Sequence, residues 1–201
     1  RREFEKAADY IEEIASAKMG NYMVFFPSYQ YMEAVREILQ ERNSELFLLV
    51  QESRMTEADR EAFLAEFSVK REESLAALCV MGGIFSEGID LQNEAVIGVI
   101  IVGTGLPQTG SRQEILKSHY EKEGKNGFLF AYLYPGMNKV LQAAGRLIRT
   151  SKDYGVIALL DERFLQGSYR SQFPPDWTDM NIVQLSNCTA LLEQFWADIE
   201  Q

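Results

Sequence analysis

The sequence predicts an α/β domain with a mainly parallel sheet covered by helices on both faces. Three observations lead there. Short apolar runs alternate with stretches whose apolar residues recur at helical spacing. Val96 to Val102 is apolar on both faces, as a strand at the centre of a parallel sheet must be. The connections are short, with no internal repeat, no low-complexity tract and no linker able to separate two domains.

The elements follow in order. Residues 2–17 carry Phe4, Ala7, Ala8, Ile11, Ile14 and Ala15 at helical spacing, which predicts a leading helix within 1–18. Tyr22 to Phe26, stopped by Pro27, reads as the first strand of a core spanning about 19–178. Ser28 is placed to cap a helix over 29–40 whose buried stripe is Met32, Val35, Ile38 and Leu39. Leu46 to Val50 is the second strand. Thr56 with Asp59 opens a helix that buries Ala62, Phe63 and Phe67. Leu75 to Met81 is the third strand and Val96 to Val102 the fourth. Residues 110–122 read as helix, broken at Gly124-Lys125-Asn126-Gly127. Pro135 fits the first turn of a helix running to about Arg149. Tyr154 to Leu160 is the fifth strand, and 166–179, with Pro174-Pro175, is irregular. A closing strand at Ile182 to Leu185 and a helix from Thr189 to Ile199 complete 179–201.

Composition narrows the function. A net charge of −10 excludes gripping nucleic acid by bulk electrostatics, so any such contact must be local. Cys79 and Cys188 make no zinc or iron–sulfur pattern, which favours a reducing, intracellular compartment. The charged opening, Arg1 to Lys6, is no signal peptide, and the longest apolar run is far too short for a membrane span. The one histidine, His119, lies on a polar helical stretch and reads as solvated. Gly103-Thr104-Gly105-Leu106-Pro107-Gln108 lacks the third glycine of a dinucleotide fingerprint, and Ser86 has its glycines at the wrong offsets for a nucleophile elbow.

Three stretches carry chemistry. On a helix at 100° per residue, Val140, Leu141, Ala144, Leu147 and Ile148 form one stripe and Gln142, Arg146 and Arg149 the opposite one. Two guanidiniums in a row suit an anion, whose oxygens take bidentate bonds; paired to carboxylates, they would be an ordinary solvated face. Gly82 to Leu91 follows a strand directly, so its three glycines, with Ser86, Glu87 and Asp90, open at the sheet edge where α/β folds bind ligands. Tyr22 to Gln30 ends a strand in a hydroxyl-rich helix start, which serves as a cap or holds a backbone phosphate.

In this order, Y-M-V-F-F-P-S-Y, G-I-F-S-E-G-I-D-L and Q-A-A-G-R-L-I-R resemble motifs IV, V and VI of superfamily 2 helicases, in wording closest to the DinG/XPD-like DNA helicases. Gly105-Leu106-Pro107, Ser111-Arg112, Asp153-Tyr154-Gly155 and Asp161-Glu162-Arg163-Phe164 extend the resemblance over roughly residues 20 to 178. It implies the second RecA-like motor domain, a three-layer sandwich, of an ATP-dependent helicase of DNA repair. ATP with Mg2+ would sit between two such domains, held mainly by a first domain outside this chain. By motif match, Arg149 would be the arginine finger, Arg146 its neighbour, and Gln142 would orient the nucleotide or the attacking water. Gly88, Asp90 and Glu87 would lie at the nucleotide. Ser28, Tyr29 and Ser86 would touch single-stranded DNA, along which the family moves 5′ to 3′.

The chain departs from a whole motor. It contains no G-x-x-x-x-G-K-[ST] and no D-E-A-H box, so the phosphate cradle and metal-binding acids are expected elsewhere, as is the iron–sulfur site many members carry. The chain alone is therefore expected to hold no cofactor and to be inactive. In a bacterium it would be cytoplasmic and nucleoid-associated. The rival reading is a degenerate RecA-like module kept as a protein- or DNA-binding platform; the intact Gln142, Arg146 and Arg149 speak against it. On the motor reading, Arg146 and Arg149 are expected to project outward at the same edge as the Gly83 to Asp90 loop.

Overall fold

In the computed structural model, which describes residues 1–86, 96–147 and 154–199, five strands form one all-parallel sheet. They are β1 (Asn21–Phe26), β2 (Leu46–Val50), β3 (Ser74–Val80), β4 (Gly98–Val102) and β5 (Val156–Leu160), in the order β2-β3-β1-β4-β5. Central β1 pairs with β3 from Asn21 opposite Leu75 to Phe26 opposite Val80, and with β4 from Tyr22 opposite Gly98. Side chains alternate across a strand. Tyr22, Val24, Phe26, Leu78 and Ile100 therefore face one helical layer, and Met23, Phe25, Cys79, Val99 and Ile101 the other. Both faces are dry along the central strands β1, β3 and β4, which is why these read as unbroken apolar runs, while the edge strands β2 and β5 are half-buried.

The first layer holds α1 (Arg2–Ala17), α2 (Tyr29–Glu41) and α7 (Leu185–Ile199). Ala8, Ile11 and Ala15 of α1 are fully buried against the sheet, and the Ser74 hydroxyl donates to the Ala15 carbonyl at 2.7 Å. The predicted stripe of α2 is buried at all four positions. The second layer holds α3 (Glu57–Ala65) and α5 (Tyr134–Ala144). Thr56 and Asp59 form a reciprocal capping box, and Phe63 and Phe67 are buried. Ala62, one step round the helix from Phe63, is exposed instead of joining that stripe. Helix α4 (Ser111–Lys122) stands outside the layers and buries none of its residues.

Two boundaries differ from expectation. The helix placed from Pro135 to Arg149 is already under way before the proline, through a π-helical turn at Leu129–Leu133, and α5 ends at Ala144. Pro135 has no N–H for the Ala131 carbonyl four residues back; the Gln113 side chain donates to that carbonyl instead, at 3.1 Å. Beyond Ala144 the chain tightens into a three-residue turn, with Arg146 N–H on Ala143 and Leu147 N–H on Ala144. The expected strand at Ile182 to Leu185 is absent: Ile182 and Val183 are exposed, and Leu185 opens α7. The Asn187 side chain accepts from Gln184 N–H at 2.8 Å, so those backbone groups enter a helix start rather than a sheet edge. The irregular 166–179 stretch follows a 3-10 turn (Glu162–Leu165) and contains the single turn α6 (Gly167–Arg170). It is packed through the aromatic run Phe164, Tyr169, Phe173 and Trp177. No described helix is long and apolar enough to cross a membrane.

Candidate nucleotide and nucleic-acid sites

At the carboxyl edge of the sheet, one residue ties the end of β2 to the end of β3 and to the start of α2. Gln51, immediately after β2, is 2% exposed. Its backbone N–H donates to Leu78, its Oε1 accepts from Val80 N–H at 3.0 Å, and its Nε2 donates to the Tyr29 phenol at 2.8 Å. The phenol in turn donates to the Glu52 carbonyl at 3.3 Å. Partial burial raises the Tyr29 phenol above its ordinary pKa, against the lowering effect of the Gln51 hydrogen bond. Tyr29 is thus a neutral ring at physiological pH, 37% exposed, with its hydroxyl anchored. Gln51 is absent from the sequence-based site; an amide at the end of an apolar run has no pattern that distinguishes it from a loop residue.

Ser28 caps α2, accepting from Tyr31 N–H at 3.2 Å. The turn after β3 starts with Met81 N–H on the Phe26 carbonyl and passes through Gly82 at φ +71°, a region that only glycine enters freely. Gly83 packs so closely that an added Cβ would lie 2.9 Å from both Gln51 Nε2 and the Val80 carbonyl. Phe85 stacks on Phe63 at 4.1 Å. Ser86 is fully buried, its hydroxyl donating back to the Gly83 carbonyl at 2.8 Å, so it stabilises the turn and presents no hydroxyl to the surface. Glu87, Gly88 and Asp90 lie outside the described residues. Between this turn and α3 opens a cleft of about 440 Å3, lined by Tyr29, Gln51, Arg54, Met55, Arg60 and Ile84 among others.

The arginine stretch stands at the opposite edge. Helix α5 starts against the end of β4, where a Cβ on Gly136 would meet the Thr104 carbonyl at 2.8 Å. It then runs back antiparallel to the strands, as a crossover helix must. By Leu147 the chain has reached the strand starts: a Cβ on Gly155 would be 2.8 Å from Leu147 Cδ1 and 2.4 Å from the Ile97 carbonyl. The expectation that Arg146 shares the edge of the Gly83 loop is therefore corrected. Five residues of strand, about 16 Å, separate the two. Gln142 is exposed; Arg146 is half-buried rather than fully projecting, its Nε donating to the Gln142 carbonyl at 3.4 Å. The packed stripe is Val140, Ala143, Ala144 and Leu147, with Leu141 only half-buried. Arg149 lies outside the described residues. Lys139, not singled out in the sequence, shares the face of Gln142 and Arg146, and its stem lies within 3.2 Å of where a Gly82 Cβ would be.

A parallel RecA-like sheet with an arginine-bearing helix end at one edge and a glycine turn at the other defines a class, the motor domains of helicases. The helicase C-terminal domain model matches residues 11–180, and the chain belongs to that family. It is 29% identical to the ATP-dependent DNA helicase CHL1 of Eremothecium gossypii over 94% of this chain and 25% of that protein. It is 31% identical to the regulator of telomere elongation helicase 1 of Bos taurus over 76% of this chain and 14% of that one. The chain thus spans a quarter or less of these relatives. A solved structure titled XPD_APO superposes on 84% of the chain and 34% of its own, with TM-score 0.68 and 25% identity. The chain is a DinG/XPD-like C-terminal helicase domain of superfamily 2.

Proposed function

We propose that this chain is the C-terminal motor half of an ATP-dependent DNA helicase that moves 5′ to 3′ along single-stranded DNA. One observation carries the reading: the arginine stretch and the Tyr29 cleft occupy opposite edges of one rigid sheet. Gly83 packs against Gln51 and Val80 at the strand ends, and Gly155 against Leu147 and Ile97 at the strand starts. ATP, the reaction's substrate, meets Gln142 and Arg146 on the strand-start side, facing a first motor domain that supplies the phosphate cradle; Arg149 is assigned to it by its motif. The single strand runs along the strand ends, past the α2 N-terminus with Ser28 and Tyr29. Gly88, Asp90 and Glu87 belong to the stretch joining the two edges in sequence, which couples closure on ATP to a displacement of DNA. Ser86 acts on the DNA by shaping the turn, since its hydroxyl is internal.

Chemically, the arginines neutralise charge that develops on the transferring phosphoryl group, which for an arginine finger contributes about 10³–10⁵ in rate, or roughly 4–7 kcal/mol. The Mg2+ that accompanies ATP is held, on this reading, by the first motor domain; among the described residues no three His, Cys, Asp or Glu side chains are grouped to hold a metal ion. The helicase names carried by the relatives, rather than names of adaptor proteins, support the motor over a non-catalytic platform. ATP turnover of the full-length enzyme with Arg146→Ala tests the reading. A fall of at least a hundredfold in kcat is expected; unchanged turnover would return the arginines to a solvated face.

A further inference from the structure

We infer that the cleft between the α2 N-terminus, the β2–α3 turn and the Gly83 turn is a pocket for one nucleotide of the bound strand, with Tyr29 as its stacking surface and Gln51 as the residue that positions Tyr29. The inference deepens the DNA track proposed above and rests on it. Four features argue for a nucleotide. Tyr29 offers an aromatic ring fixed at its hydroxyl by two hydrogen bonds, so little ordering is required when a base stacks on it. Met55 and Ile84 add apolar wall, and the volume of about 440 Å3 accommodates one base with its sugar. Arg60 lines the cleft with its Nε buried and without a hydrogen-bond partner among the described residues, while its terminal nitrogen reaches Glu57 at 3.4 Å. Arg54, exposed beside it, has no ion pair among the described residues. A flat apolar ring and available guanidinium donors in one cleft match a base and its phosphate, not a purely apolar ligand.

Gln51 makes the pocket rigid. Its amide holds the last N–H of β3 with one end and the phenol with the other, and Gly83 is small enough to let it pass. Without it, Val80 N–H loses its acceptor and Tyr29 loses its fixed orientation. Gln51 touches no nucleotide itself on this account.

The test is fluorescence anisotropy of the 201-residue chain with a thymidine single strand and with an abasic strand of equal length, at several salt concentrations. The base-bearing strand should bind more tightly than the abasic one. Tyr29→Ala should weaken the former about five- to hundredfold, the range for one stacked base, and barely change the latter. Arg60→Ala should weaken both and reduce the salt slope by about one ion. Gln51→Leu should mimic Tyr29→Ala, and the double variant should be no weaker than either single one, because both remove the same stacked contact. If Gln51→Leu fails to fold, Tyr29→Phe carries the test, since it removes only the anchored hydroxyl of an exposed ring and should lose part of the same factor. Folded variants with wild-type discrimination between the two strands would overturn the pocket while leaving the DNA track. A wild-type chain that binds neither strand would overturn the track as well.

Discussion

On the proposed reading, single residues at this site do double duty, and substitutions can separate the duties. Ser28 caps α2 and is proposed to meet a backbone phosphate. Ser28→Ala should destabilise the fold by about 1 kcal/mol, whereas Ser28→Gly should cost only a few tenths, because glycine tolerates the cap position. Both lack the hydroxyl, so both should weaken single-strand binding equally; thermal melts beside anisotropy titrations check this, and equal binding to wild type would leave Ser28 a cap only. The Thr56–Asp59 capping box gives a pH signature. Hydrogen bonds from the Thr56 side chain and backbone hold Asp59 below its ordinary pKa. A depressed folded-state pKa contributes stability that is present above the unfolded value and lost as pH falls through the folded one. Wild type should therefore lose more stability in acid than Asp59→Asn between those two values; parallel acid denaturation curves would contradict it. The capping box was legible because its two partners sit three residues apart. Gln51 was not, because its partners are 22 and 29 residues away.

Elements were legible where apolar periodicity is uninterrupted. All five paired strands and the stripes of α1 and α2 follow from apolar spacing alone. The failures share a cause: local pattern without tertiary support. Ile182 and Val183 have strand-like character but no neighbouring strand to pair with, and Asn187 offers their chain a helix start. Apolar spacing alone carries the arginine-bearing helix on to Arg149, past Gly145, which caps α5 in the structure; the turn tightens where Leu147 is drawn against Gly155. That packing makes glycines at the helix starts selective. Gly136→Ala would force a Cβ to 2.8 Å from both the Thr104 carbonyl and Leu106, and should cost about 1–3 kcal/mol. Gly167→Ala, with nothing within 4 Å, should be neutral or slightly stabilising. Chemical denaturation of the two variants compares them directly, and equal stabilities would refute the close approach of α5 to the end of β4.

At the scale of the molecule, the sheet separates the Gly82–Ser86 turn from Arg146, an arrangement that motif spelling could not reveal. On the proposed reading it is a spacer between a DNA-facing and a nucleotide-facing edge, and the crossover of α5 is what sets them apart. The sheet's burial on both faces keeps that spacing fixed, so a change at one edge is passed on by rigid-body motion rather than by deformation. With no phosphate cradle of its own, the chain by itself should turn over no ATP, with or without single-stranded DNA. Its DNA binding should be weak and steeply salt-dependent, given the net charge of −10. Tight binding insensitive to salt would mark a dedicated DNA-binding module instead. The most direct test of the motor assignment is steady-state ATP turnover in the full-length enzyme carrying Arg149→Lys, which keeps the charge and loses the bidentate fork. A fall in kcat of about a thousandfold or more is expected, with the melting temperature unchanged; turnover at the wild-type rate would contradict the assignment.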